Sequence, residues 1–188
     1  MTKKIIIALI SGTLWIRLYS YILHIYYFFN PHVKIGAKTF LSTGISLNTR
    51  CGGEIIIGKN CQLQNGCQFI TYGGNIKMGN RCSVNPYTIL YGQGNLTIGN
   101  DVRIAAHCVI IPSNHVFSRR DIPITDQGLI NRGITICDDV WIGCGVRILD
   151  GVSIAKGCVI AAGSVVNKST IEYGIYAGVP AKLIKMRE

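Results

Sequence analysis

Residues 134–166 read ITICDDVWIGCGVRILDGVSIAKGCVIAAGSVV, and an isoleucine or valine occupies every sixth position from Ile136 to Val166. A six-residue period fits neither the 3.6-residue repeat of a helix nor the two-residue alternation of an ordinary strand. It fits short strands joined by sharp corners, three of which complete one turn of a parallel β-helix. Four earlier triplets keep the same spacing: Ile35, Leu41, Leu47; Ile57, Leu63, Phe69; Met78, Val84, Leu90; and Ile98, Ile104, Ile110. The sequence therefore predicts an all-β parallel β-helix of about six coils.

Interruptions of the repeat fall at one corner of the coil. The step between triplets is 10, 9, 8 and 26 residues in turn, and then returns to 6. The longest step creates a loop over residues 112–133, and insertions of this kind usually lie on the binding face of a repeat protein. We therefore divide the chain into three segments: an N-terminal helix over 1–30, a β-helix domain over 31–170 and a C-terminal segment over 171–188.

Composition and charge limit the classes of partner. A hydrophobic fraction of 48% and 22 glycines fit one elongated domain with an apolar core and permissive corners. The formal net charge of +10 indicates an anionic partner, such as nucleic acid, a phosphate-rich cofactor, an anionic lipid surface or an acidic polysaccharide. Nucleic acid is disfavoured, because the basic residues are scattered and no nucleic-acid-binding motif is present.

The cysteines follow the repeat. Six of the eight lie four residues after a repeat position, where other coils have valine: Cys51, Cys61, Cys67, Cys82, Cys108 and Cys158. We expect these to be small buried hydrophobes in a reducing compartment, since no zinc-type spacing accompanies them. Cys137 and Cys144 lie off this site and are candidates for exposure or ligand contact.

Residues 3–29 form a different kind of segment, rich in isoleucine, leucine and aromatic residues. Thr13, Arg17, Ser20 and His24 are spaced so that a helix would gather them in one polar stripe. No small-residue cleavage site follows, which argues against a signal peptide. Arg17 argues against a membrane span. Two alternatives remain open: a helix in the membrane interface, or a helix that caps the coil or joins protomers.

His115 is the strongest chemical candidate. Histidine is the side chain that most often acts as a general base near neutral pH, and here it could remove a proton from an attacking hydroxyl. It also lies in the long loop, where a wall and a projecting segment could form a cleft. His24, His32 and His107 are interpreted as structural.

The residues resemble the hexapeptide-repeat acyltransferases with a left-handed β-helix, in particular the galactoside, maltose and polysaccharide O-acetyltransferases. The resemblance covers about residues 33–187, and its most specific motifs are ICDDVWIG at 136–143, VIAAGSVV at 159–166 and AGVPA at 177–181. It implies the left-handed sense, acetyl-CoA as acyl donor without a metal, and a homotrimer with the active site between subunits.

The resemblance also implies roles for individual residues. His115 matches the catalytic base, and Asn85 matches an asparagine that helps to place the acceptor. The positions that match contacts of coenzyme A are Trp141, Cys144, Ala162, Lys168 and Lys182. Each has a simpler alternative: Asn85 as a corner cap, Trp141 as a protomer contact and the lysines as solvated charges.

Three functions remain to be separated. The first is an O-acetyltransferase acting on a sugar of a capsular, exopolysaccharide or lipopolysaccharide precursor, which the apolar N-terminal segment favours. The second is a soluble acetyltransferase for a small sugar, amino sugar or antibiotic. The third is a non-catalytic β-helix scaffold. We expect a cytoplasmic protein, with contact to the inner face of the membrane through 3–29 under the first alternative.

Overall fold

The structure is a computed structural model, and it describes residues 13–188. Within residues 13–188, helix α1 spans Thr13–Phe28 and a 3₁₀ turn spans Ile124–Asp126. The remaining elements are short strands: β1 (Val33–Ile35), β2 (Phe40–Leu41), β3 (Ser46–Asn48), β4 (Ile55–Ile57), β5 (Gln62–Leu63), β6 (Gln68–Ile70), β7 (Ile76–Met78), β8 (Ser83–Val84), β9 (Ile89–Tyr91), β10 (Leu96–Ile98), β11 (Arg103–Ile104), β12 (Val109–Ile110), β13 (Asn114–His115), β14 (Leu129–Ile130), β15 (Ile134–Ile136), β16 (Trp141–Ile142), β17 (Arg147–Ile148), β18 (Ser153–Ile154), β19 (Val159–Ile160), β20 (Val165–Val166), β21 (Gly174–Ala177) and β22 (Lys182–Met186).

The strands form the three faces of a left-handed parallel β-helix of about six coils, as predicted. The first face contains β1, β4, β7, β10, β15 and β18; the second contains β2, β5, β8, β11, β16, β19, β21 and β22; the third contains β3, β6, β9, β12, β17 and β20. We call the junction of the second and third faces the second corner, and the junction of the third and first faces the third corner. Strands β13 and β14 form a separate antiparallel pair.

The core is the predicted apolar column. All eighteen repeat positions fall on strands, and all but Ile35, which is half-buried at the open end, are buried. Each coil hydrogen-bonds only to the next, as in Val84 beside Ile104 beside Ile142. Because each inward side chain packs on its counterpart one turn away, a six-residue spacing is sufficient to specify the stack.

Corners need backbone in the left-handed region. At the second corner Gly66 has φ +69°, and a Cβ there would lie 2.6 Å from the ring of Tyr87 in the next coil. The equivalent position in the following coil is His107, with φ +59°. Glycine at residue 66 therefore serves both the turn and the close approach.

The cysteine prediction is confirmed for five residues and wrong for one. Cys61, Cys67, Cys82, Cys108 and Cys158 are buried, whereas Cys51 is exposed. The ten-residue step from Leu47 to Ile57 adds a turn at the third corner, in which the Gly52 N–H donates to Thr49 O at 2.9 Å. This turn carries Cys51 out of the column. Burial raises the pKa of the Cys67 thiol to about 11.

Helix α1 covers the open end of the first coil. Ser20 Oγ accepts a hydrogen bond from the Leu41 N–H at 3.0 Å, and Tyr27 Oη accepts one from the Leu47 N–H at 3.1 Å. His24 Nε2 donates to Thr39 O at 2.7 Å. Ser20 and His24 of the polar stripe, together with Tyr27, thus cap backbone groups that no preceding coil can satisfy.

The cap alternative is therefore observed for the described part of the helix, while residues 3–12 of the predicted segment lie outside the described residues. Among residues 13–188, no helix combines the length and the apolar composition that crossing a bilayer requires. The division of the chain into three segments stays a prediction.

Candidate functional site

His115 lies on a folded hairpin rather than in an irregular loop. Strand β13 pairs antiparallel with β14, which places His115 opposite Leu129. The Ser113 hydroxyl donates to Gln93 Oε1 at 3.1 Å at the start of the hairpin. At its end, Asp150 Oδ1 accepts the backbone N–H groups of Arg132 and Gly133 at 2.9 and 3.0 Å. The third corner of the coil therefore holds both ends of the hairpin.

Hydrogen bonds within the hairpin also order its tip. Gln127 Nε2 donates to Arg119 O at 2.8 Å, and Arg119 N–H donates to Gln127 Oε1 at 3.0 Å. The Arg119 guanidinium is paired with the Asp121 carboxylate, and this hydrogen bond lowers the pKa of that carboxyl.

A groove of about 500 Å³ runs beside His115 along the third corner. Ser113, Phe117, Asp150 and Asn167 are among the residues that line it. The imidazole is exposed to this groove, so a hydroxyl-bearing molecule could reach it. Hydroxyl, carboxylate and amide groups beside apolar side chains are the kind of lining that binds and orients a sugar.

Asn85 follows β8 at the second corner and is half-buried. Its Nδ2 donates to Ile104 O at 2.9 Å, which is the corner-capping bond of the simpler alternative. Its Oδ1 accepts no hydrogen bond from residues 13–188. The side chain is therefore held in place with one acceptor still available.

Trp141, Cys144 and Ala162 lie close together near the same corner. Trp141 is 57% exposed on the second face between Arg103 and Val159. Cys144 is exposed just beyond that strand, and its carbonyl accepts the Gly163 N–H at 2.8 Å, so the exposed Ala162 lies beside it in the next coil.

The two lysines lie in different places. Lys168 is exposed at the third corner, one residue after Asn167 of the His115 groove. Lys182 is exposed at the start of β22, opposite Ala177. Neither forms an ion pair with another part of residues 13–188, so both ammonium groups are free of intramolecular carboxylates there.

A single chain does not bring all the predicted residues together. Asn85, Cys144 and Ala162 lie at the second corner, whereas His115 and Lys168 lie at the third. These corners are the two ends of the third face, and the six steps along the chain from Ala105, beside Asn85, to Ile111 span at most about 20 Å. The predicted residues thus fall into two groups on opposite edges of one face, which we call the candidate half-sites.

Sequence reasoning missed two groups. The rings of Tyr87 and His107 stack at 5.5 Å with an interplanar angle of 17°, and both are exposed at the second corner near Asn85. Asp150 anchors the hairpin from the following coil. Tyr87 and His107 occupy equivalent positions in successive coils, 20 residues apart, and this spacing could have predicted that their rings stack. Among residues 13–188, no cluster of three or more histidine, cysteine or acidic side chains could hold a metal.

Comparison with known proteins identifies the family. The family model described as bacterial transferase hexapeptide (six repeats) matches residues 133–168. The Escherichia coli protein named "Putative lipopolysaccharide biosynthesis O-acetyl transferase WbbJ" is 34% identical over 144 residues, which are 72% of this chain and 74% of that protein.

Two further similarities agree. A Mycobacterium tuberculosis protein named "Probable acetyltransferase" is 27% identical over 85% of this chain, which spans about half (53%) of that relative's length. The crystal structure of a mutant of AntD, an N-acyltransferase from Bacillus cereus in complex with dTDP and coenzyme A, has a similar fold, with a TM-score of 0.71 at 24% identity, covering 82% of this chain and 84% of that one. The chain belongs to the hexapeptide-repeat acyltransferase family.

Proposed function

We propose that this protein is an acetyl-CoA-dependent O-acetyltransferase that modifies a sugar hydroxyl of a capsular, exopolysaccharide or lipopolysaccharide precursor. The observation that carries the proposal is the exposed His115 imidazole beside a sugar-sized groove, on a hairpin that the coil holds at both ends. The relative named for lipopolysaccharide biosynthesis supports the acceptor class.

His115 acts as the general base in this proposal. It accepts the proton of the acceptor hydroxyl while that oxygen attacks the thioester carbonyl of the acyl donor. A C–O bond forms, the C–S bond breaks, and the imidazolium returns the proton to the departing thiolate. Asn85 places the acceptor. The backbone N–H of Cys144 stabilises the oxyanion, since those of Trp141 and Gly143 already donate to Cys158 O and Ile160 O. The thioester is already activated, so the mechanism needs no covalent enzyme intermediate.

We place the complete site between two subunits of a homotrimer. The two candidate half-sites at the second and third corners support this assembly, because a second copy could set its second corner against the third corner of the first. Ala162, Lys168 and Lys182 would then line the bound coenzyme A, and the lysine charges suit its phosphates. Cytoplasmic acetyl-CoA and a lipid-linked acceptor would meet at the inner face of the membrane.

A second candidate is acyl transfer to a soluble amino sugar. A second mutant of AntD, an N-acyltransferase whose structure is in complex with dTDP-4-amino-4,6-dideoxyglucose and coenzyme A, has the same fold. The two candidates differ in the acceptor and in whether it is attached to lipid.

The test is release of thiol from acetyl-CoA in the presence of lipid-linked or soluble sugar acceptors. His115→Ala should lower kcat by about 10²- to 10⁴-fold, the usual contribution of a general base. His32→Ala is the matched control, since His32 is an exposed histidine at the far end of the coil from the hairpin.

Unchanged turnover by His115→Ala would eliminate the proposed mechanism. Turnover that occurs only with soluble acceptors would favour the second candidate. No thiol release with any acceptor would favour the scaffold alternative.

A further inference from the structure

Helix α1 is amphipathic, but its polar side faces the protein. Ser20 and Tyr27 are buried against the first coil, and His24 is half-buried there. Surface helices usually turn their apolar side to the core and their polar side to water. The opposite arrangement here arises because the open end of a β-helix presents unpaired backbone groups rather than an apolar surface.

The consequence is an apolar face that no part of residues 13–188 covers. At 100° per residue, the side of α1 opposite the polar stripe, with the residue that follows the helix, consists of Trp15, Leu18, Ile22, Ile25, Tyr26 and Phe29. Their exposed fractions run from 46% for Ile25 to 77% for Phe29. We call these six residues the outer face. Large apolar side chains exposed side by side on one face of a helix indicate a binding surface.

The charges around the outer face indicate what binds it. Residues 1–60 contain seven basic residues and one acidic residue, so they carry +6 (7 − 1) of the formal charge of +10. Lys34 lines a groove with Phe28 and Phe29, and Arg50 lines another with Tyr26 and Phe29. The single acidic residue, Glu54, is 3.8 Å from Lys34, and both side chains are largely exposed. Cations therefore flank the aromatic end of the helix.

We propose that the outer face of α1 docks on an anionic lipid bilayer, so that the open end of the β-helix faces the membrane. Tryptophan and tyrosine favour the boundary between headgroups and acyl chains. Lys34 and Arg50 would meet the lipid phosphates. A second copy of the chain is a poorer occupant, because end-to-end contact would bring two +6 segments together.

This docking rests on the proposed function, which places the protein at the inner face of the membrane. It adds the orientation of the β-helix relative to the bilayer. Ser20, His24 and Tyr27 hold the helix to the first coil by hydrogen bonds, so the helix can bind lipid without leaving the protein. The hairpin with His115 starts from the fourth coil. When the first coil faces the bilayer, the candidate site therefore lies several coils away from it, at about 4.8 Å per coil.

Flotation of the full chain with phosphatidylglycerol vesicles tests the docking without requiring turnover, so its failure and a failure of the proposed acetyl transfer are seen separately. The double variant Trp15→Gln, Ile22→Gln should lower the vesicle partition coefficient by more than about tenfold. The matched control is Ile171→Gln, Ile184→Gln, which removes two apolar residues of similar exposure, 55% and 63%, at the other end of the chain.

A second arm tests the charges. Lys34→Gln, Arg50→Gln should weaken binding to phosphatidylglycerol vesicles and leave the weaker binding to phosphatidylcholine vesicles unchanged. Equal flotation of the Trp15→Gln, Ile22→Gln variant and its control would overturn the proposal. So would absence of flotation by the unaltered chain, or self-association in sedimentation that the same double variant abolishes.

Discussion

Removing the cap of the coil should destabilise the protein by an amount that the structure allows us to work out. Ser20→Ala deletes the acceptor of the Leu41 N–H, and Leu41 is 0% exposed. Tyr27→Phe deletes the acceptor of the Leu47 N–H, and Leu47 is also buried, at 5% exposure. A buried donor left without a partner costs about 1–3 kcal/mol.

The two losses should add. Ser20 and Tyr27 are seven residues apart, or about 10 Å along the helix, and they share no partner. The double variant is therefore expected to lose about 2–6 kcal/mol of unfolding free energy. For a chain of this length that lowers the midpoint of thermal unfolding by at least about 4 °C.

Thermal unfolding at one fixed protein concentration measures the effect, because subunit assembly would otherwise shift the midpoint. Tyr26→Phe is the matched control, since Tyr26 is 68% exposed on the outer face and its hydroxyl forms no hydrogen bond within residues 13–188. If the double variant unfolded within about 0.5 kcal/mol of the unaltered protein, the polar stripe would not be the element that closes the coil.

Three further outcomes are expected. Asp150→Ala should speed amide exchange across residues 112–132, because Asp150 accepts the backbone N–H groups that close the hairpin. The control Asp126→Ala, in the exposed 3₁₀ turn, should leave the exchange rates unchanged. Equal exchange in both variants would contradict this role of Asp150. Brief alkylation of the native protein followed by peptide mapping should modify Cys51 and Cys144 first, since both are exposed, and rapid labelling of the buried thiols would show that the coil opens easily. Burial raises the pKa of Tyr27 above its usual 10.0, so the folded state keeps a proton that the unfolded chain releases. The stability that this group contributes is complete below that value and is lost as pH rises above it, and denaturant titrations should show a smaller alkaline loss in Tyr27→Phe.

The sequence shows where most candidate-site residues lie along the chain, but it does not show which of them lie near one another in space. The 26-residue step identified the segment with His115, because an insertion in a regular repeat must leave the coil. Asp150, which accepts the backbone N–H groups at the end of the hairpin with His115, comes from a different coil. The stacked pair of Tyr87 and His107 likewise forms only when successive coils bring the residues into register.

Cys51 shows where positional counting fails. The prediction assumed that every residue four places after a repeat position points inward. Extra residues at the third corner break the register locally, and the chain regains it only at Ile55, which is buried. Counting is reliable within an uninterrupted coil and unreliable beside an insertion.

The amino-acid sequence alone determined the coil, because each turn packs only on its neighbours and the six-residue spacing is a local rule. It also determined that residues 13–28 have one polar and one apolar side. Only the tertiary structure decided which side faces the protein. The open end of the coil offers unpaired N–H and C=O groups, so Ser20, His24 and Tyr27 turn inward, and the apolar outer face is left to the surroundings.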